Sequence, residues 1–203
     1  MEERGIPLHP IVILACPRSG SSMVSGIFHY HGVWVGNCRR PDRFNEKGYF
    51  ENQDVKNLLK KYCGVLVQKC EVAEESDEFL TEVEKLKPQF PWLVKHSSMY
   101  WKVWRPWEPV YICVRRSIEG SVKSNRKTGM VGQKNIRRII ERHHDEMDRS
   151  GGINVYTDQI IEGDDSSLRT AIEFCSLNYD PEITRKFVDP TLWHYKTSQT
   201  TTT

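Results

Sequence analysis

Near the start of the chain, Cys16-Pro17-Arg18-Ser19-Gly20-Ser21-Ser22 places a thiol, a guanidinium, three hydroxyls and a glycine within seven residues. The apolar run Ile11–Ala15 precedes it. Met23, Val24, Ile27 and Phe28 follow at helical spacing. This pattern predicts a buried strand, a tight loop and a helix whose N-terminus opens at the loop. Unpaired N–H groups at a helix start, with the helix dipole, favour an anion. Gly20 permits close backbone approach and Arg18 adds a forked cationic contact. The stretch therefore reads as a phosphate-binding loop, against the plainer alternative of an ordinary strand–turn–helix joint around a buried Cys16. It is not a Walker A loop, because Ser21 rather than Lys follows Gly20. It is not a phosphatase loop either, since the position six beyond Cys16 holds Ser22 rather than Arg.

Positioning such a loop requires a core. The chain has 203 residues, 38% hydrophobic and 28% charged, with a net charge of +2; this suits one soluble domain. The domain is expected over residues 1–196, with 197–203 a disordered Thr-rich tail. No apolar run approaches the length of a membrane span, and MEERGIPLHP does not read as a secretory leader. A cytoplasmic location is the default. Six scattered cysteines without C-x-x-C spacing point to reduced thiols, and no metal site is expected. Strands are expected at Ile11–Ala15, Pro91–His96, Val110–Val114 and Ile153–Tyr156, with a short one at Gly64–Val67. Helices are expected after the loop, over Asp54–Lys61 with Asp54 as cap, around Phe79–Leu86, and over Ile118–Ser124, Gln133–Met147 and Ser167–Cys175. Alternating strands and helices give an α/β fold, a parallel sheet flanked by helices, with ligands at the C-terminal strand ends.

Three strand ends carry polar groups: Arg18 to Ser22, Lys95-His96, and Arg115-Arg116 with Ser124 downstream. On one edge of a parallel sheet they could converge, and two separate anion sites suit a ligand with two phosphate-like ends. Residues 115–142 carry nine Lys/Arg against two Glu. A small polyanion fits this patch better than nucleic acid, because a phosphate loop lies elsewhere in the chain. Glu71–Glu84, with seven acids and no base, reads as a solvated face. Trp101, Trp104 and Trp107 read as packing, and His143-His144 as an exposed helix pair.

The loop CPRSGSS, the segment VYICVRRSIEGSVKS and the segment INVYTDQIIEGDDSSLRTAIEFCSLNYDP occur in the order found in sulfotransferases that use 3′-phosphoadenosine 5′-phosphosulfate (PAPS). From Ile11 to Pro190 the chain resembles that family. The resemblance implies a P-loop-like sulfotransferase fold and in-line sulfuryl transfer from PAPS to an acceptor hydroxyl or amine, leaving adenosine 3′,5′-bisphosphate (PAP). It implies that Arg18 neutralises the leaving phosphate and that Ser19, Gly20, Ser21 and Ser22 hold the 5′ end. The family's strand-end Arg, with a Ser eight residues on, matches Arg116 and Ser124, whereas Arg115 would meet Lys123. Tyr156 would lie near the adenine.

For the base the resemblance offers three residues. His96 follows Lys95 directly, whereas the family pattern puts one residue between them. Glu46 and Glu51 lie in a loop, NEKGYFE, similar to one that supplies a Glu in other branches. As plain structure, His96 would be a hydrogen-bonded strand-end group, the two Glu solvated loop acids and Tyr156 a core residue. The acceptor is open among a small molecule, carbohydrate, lipid and peptide. No glycine-rich C-terminal cofactor loop follows Tyr156, so closure over the nucleotide differs or comes from another copy in a homo-oligomer. A P-loop small-molecule kinase and a non-catalytic adenosine-bisphosphate-binding module are the alternatives.

Overall fold

The computed structural model describes residues 9–42, 45–66, 70–128 and 135–193. Among these, four strands form one parallel sheet: β1 (Ile11–Ala15), β2 (Leu93–Ser97), β3 (Val110–Arg115) and β4 (Ile153–Tyr156). Their spatial order is β2-β1-β3-β4. The helices in chain order are α1 (Ser21–Tyr30), α2 (Gln53–Cys63), α3 (Asp77–Glu84), α4 (Ile118–Thr128), α5 (Ile136–Ser150), α6 (Thr157–Glu162), α7 (Ser166–Phe174) and α8 (Pro181–Phe187). Two 3-10 helices cover Ser98–Trp107 and Pro190–Leu192. The α/β parallel sheet flanked by helices is thus as the sequence suggested.

Strand β1 is buried along its whole length, and its alternation divides the core into two layers. Ile11, Ile13 and Ala15 face α1, α7 and α8, meeting Ile27, Phe28, Leu168, Ile172 and Phe187. Val12 and Leu14 face α2, α3 and the long 3-10 helix, meeting Leu59, Phe79, Met99 and Trp104. In β2, Lys95 pairs with Ile13 and His96 with Leu14. These two neighbouring polar residues therefore belong to opposite layers. Gly26 lets α8 approach α1: a Cβ built there would lie 2.2 Å from Cζ of Phe187.

Several boundaries differ from expectation for local reasons. Asn52, not Asp54, caps α2, accepting from the N–H groups of Asp54 and Val55 at 3.0 and 3.2 Å. Residues 64–66 form no strand, and Val67 lies outside the described residues, as do the Gln133 start of α5 and the Thr-rich tail. Residues 98–107 form a 3-10 helix, which eclipses side chains three apart and so aligns Trp101, Trp104 and Trp107. His143 is not exposed. It is fully buried, with Nδ1 2.8 Å from Oγ of Ser98, and burial pushes its imidazole down to about 3.

Trp104 is fully buried and meets Phe79 and Trp92 edge-on, with centroids 5.2 and 5.8 Å apart. Trp104→Ala is expected to cost about 3–5 kcal/mol of folding stability, read as a lower denaturant midpoint. An unchanged midpoint would contradict this packing.

Candidate functional site

A cavity of about 360 Å³ opens where β1 and β2 end and α1 begins. Its lining includes Arg18, Gly20, Ser21 and Ser22 from the β1–α1 loop and helix start, Lys95 and His96 from β2, and Arg116 and Ser124 from the β3–α4 side. Asn45, Tyr49 and Glu51 from the α1–α2 connection also line it, as do Leu192 and Trp193 near the chain's end. The volume is in the range of small-ligand sites, roughly 300–1,000 Å³.

The loop is held from behind. Arg18 and Gly20 both adopt left-handed backbone, with φ of 68° and 86°. Gly20 tolerates this freely, and Arg18 does not. Three side chains fasten successive carbonyls: Nδ2 of Asn125 donates to Pro17 (3.1 Å), a terminal guanidinium nitrogen of Arg116 to Arg18 (3.4 Å), and Oγ1 of Thr157 to Ser19 (2.8 Å). Thr157 also donates to the carbonyl of Arg115 at 3.0 Å, tying the loop to the end of β3. Gly20 starts α1 without a side-chain cap. The first-turn N–H groups of a helix lack intrahelical acceptors, which suits them to an anion.

Cations surround this helix start. Nε of Arg18 donates to Oγ of Ser124 at 3.0 Å, so two expected site residues from distant segments meet. Arg116, its side chain 4% exposed, lies 3.4 Å from Asp158 and has its guanidinium 4.0 Å above the Trp193 ring. Burial lowers the pKa of both guanidinium groups, but Arg stays protonated in proteins. Arg115 points elsewhere, to Asn154 and Asp148 at 2.5 Å each. The thiol of Cys16 is pushed up to about 11 by burial, which disfavours the thiolate at neutral pH.

Lys95, expected at a polar strand end but given no role there, lines the cavity. Its ammonium donates to Oγ of Ser22 at 2.9 Å and to the carbonyl of Tyr49 at 2.6 Å, and lies 3.2 Å from Glu51. Burial lowers the Lys95 pKa, with Glu51 opposing. Burial alone would raise that of Glu51, but Lys95, together with Lys56 at 2.9 Å, outweighs it and holds the carboxyl below its usual range. Strand alternation gives a sequence signal for Lys95, since it places Lys95 and His96 on opposite faces. Thr157 and Asp158 fall within the segment INVYTDQ without having been singled out, and Trp193 gave no such signal, because it meets Gly20 from about 170 residues away in sequence.

His96 stacks on Trp104, with centroids 5.7 Å apart and planes at 10°. Its Nδ1 is 2.9 Å from the Ser97 carbonyl, and Nε2 is buried with no partner among the described residues. Ser19 is buried and its carbonyl accepts from Thr157. Glu46 is exposed and does not line the cavity. Nor does Tyr156, which is 42% exposed at the end of β4. Among the described residues no cluster of His, Cys, Asp or Glu could hold a metal ion, and no helix is long and apolar enough to cross a membrane.

Burial pushes the His96 imidazole down to about 4. Its folded pKa lies below the ordinary 6.5, so the unfolded chain binds the proton more readily. The stability this contributes is complete above 6.5 and falls as pH drops towards about 4. Imidazole NMR titration is expected to show His96 neutral throughout pH 5–8, which are roughly the limits of ordinary histidine titration. A midpoint near 6.5 would contradict the burial.

No protein-family model and no curated protein sequence matches this chain. Among solved structures it is similar to the sulfotransferase domain from the Synechococcus PCC 7002 olefin synthase, with 13% identity and a TM-score of 0.53 over 95% of this chain and 89% of that one. The sulfotransferase domain from the curacin biosynthetic pathway is also similar, with 13% identity and a TM-score of 0.46 over 88% of this chain and 77% of that one. The parallel sheet, its flanking helices and the first of these likenesses together give the chain the sulfotransferase fold.

Proposed function

We propose that the protein is a sulfotransferase that takes a sulfuryl group from PAPS and passes it to an acceptor hydroxyl or amine. One observation carries this reading. Arg18, Lys95 and Arg116 converge on the uncapped start of α1, with the Glu51 carboxylate 3.2 Å from the Lys95 ammonium. The chemistry of the donor set fits a ligand with two anionic ends. Ser21, Ser22 and the helix start suit a 5′ phosphosulfate, and Arg116 with Ser124 suits a 3′ phosphate. When bound, PAPS supplies an activated sulfuryl group on a phosphate leaving group.

The residues of the chain then have distinct work. Arg18 and Lys95 offset negative charge as it builds on the leaving oxygen, the largest contribution expected in such transfers. Their positions are fixed beforehand, by Ser124 for Arg18 and by Ser22, Tyr49 and Glu51 for Lys95. Glu51 accepts the acceptor proton at its carboxylate. Lys95 and Lys56 keep it ionised, which makes it a modest base. A loose transition state demands little more, because the proton leaves late. His96 has the weaker claim, with one face against Trp104 and Nδ1 turned to Ser97. A small-molecule acceptor would enter past Asn45 and Tyr49, on the wall that carries Glu51.

Release of PAP from PAPS, followed across a panel of phenols, alcohols, amines and sugars, tests the reading. Acceptor-dependent release supports it; none with any acceptor class, while magnesium–ATP is consumed, would replace it with a kinase. Glu51→Gln is expected to lower turnover by roughly 100- to 10,000-fold while PAP affinity stays nearly unchanged. An unimpaired rate would remove Glu51 as base. Arg18→Ala is expected to lose about 100-fold or more in rate, more than it loses in PAP affinity. Equal losses would reduce Arg18 to ground-state binding.

A further inference from the structure

Trp193 is the one aromatic side chain lining the cavity that arrives from the far end of the described chain. It follows the short 3-10 helix Pro190–Leu192, whose cap Asp189 accepts from the N–H of Thr191 at 2.9 Å. The approach is anchored at Phe187. Phe187 packs into the space that Gly26 leaves on α1, and the Lys47 ammonium donates to the Phe187 carbonyl. The indole then reaches the phosphate loop: a Cβ built on Gly20 would lie 2.7 Å from Cη2 and 2.9 Å from Cζ3 of Trp193. Gly20 is thus constrained twice, by its positive φ and by this ring. On its other side the ring stacks on Arg116, 4.0 Å from Cζ to the centroid.

A guanidinium has two kinds of surface. Its faces stack on aromatic rings, and its edge N–H groups bind oxyanions in the plane. The Arg18 carbonyl accepts from a terminal nitrogen of Arg116, and an Asp158 carboxylate oxygen lies 3.4 Å from its Nε. Trp193 covers the face, so its contact does not compete with an in-plane anion. It also keeps water from a buried cation and fixes the tilt of the fork.

We infer that Trp193 is a positioning residue for nucleotide binding: it holds Arg116 oriented for the 3′ phosphate of a nucleoside 3′,5′-bisphosphate and closes the cavity over the phosphate loop. This rests on the nucleotide reading above.

Calorimetric titration of the full chain with PAP and with AMP separates the outcomes. Trp193→Ala is expected to weaken PAP about tenfold, in keeping with a desolvated cation–π contact, and to change AMP little. Trp193→Phe, which keeps a stacking face, should recover most of the loss. Because Trp193 acts through Arg116, Trp193→Ala should cost nothing further for PAP once Arg116→Ala is in place. Unchanged PAP binding in Trp193→Ala, equal losses for PAP and AMP, or full additivity with Arg116→Ala would each overturn the inference. If the unaltered chain binds PAP no better than AMP, the bisphosphate reading itself falls, and the inference falls with it.

Discussion

The site depends on the fastening of three consecutive carbonyls, Pro17, Arg18 and Ser19, by Asn125, Arg116 and Thr157. A non-glycine residue in left-handed backbone costs on the order of 1 kcal/mol or more, and Arg18 bears that cost at φ 68°. It persists because α4, the end of β3 and the start of α6 each supply one clamp. With the carbonyls drawn back, the opposite edge of the loop, which carries the helix start, is turned to the cavity. The shape of the anion cradle is therefore set by the order of β1, β3 and β4, not by the loop alone.

The electrostatics are built around the same geometry. Arg18 and Arg116 lie close enough for each to disfavour charge on its neighbour, while Asp158 offsets Arg116 and Glu51 offsets Lys95. Buried ion pairs of this kind contribute little net stability, since desolvation consumes most of the attraction. Their use lies in preorganisation. A cation already desolvated and aimed needs little rearrangement when charge develops beside it. In the proposed reaction the Lys95–Glu51 pair joins the two tasks, with a charge stabiliser and a proton acceptor on one wall.

Much of this was legible in the sequence. The apolar runs at Ile11–Ala15 and Val110–Val114 declared buried parallel strands, and CPRSGSS declared the loop between β1 and α1. What stayed hidden required register or long-range contact. The opposite facing of Lys95 and His96 follows from strand alternation, but which face meets α1 follows from the pairing of Ile13 with Lys95. The spacing of Trp101, Trp104 and Trp107 carried a three-residue period that suits a 3-10 helix, though without an apolar stripe of the usual helical width. Asn52 displaced Asp54 as cap because α2 begins earlier than its apolar pattern does. Thr157 and Asp158 lie in a segment recognised by its strand and helix, and Trp193 lies in a segment with no motif of its own; the proximity of all three to the loop is a product of the whole fold.

In the proposed reading one cavity holds two phosphate-like groups, one at the start of α1 and one at Arg116. Calorimetric titration of the unaltered protein with PAP, beside AMP and ATP and without added metal, tests it most directly. Selective binding of PAP is the expected result. Binding of AMP or ATP as tightly as PAP would contradict it.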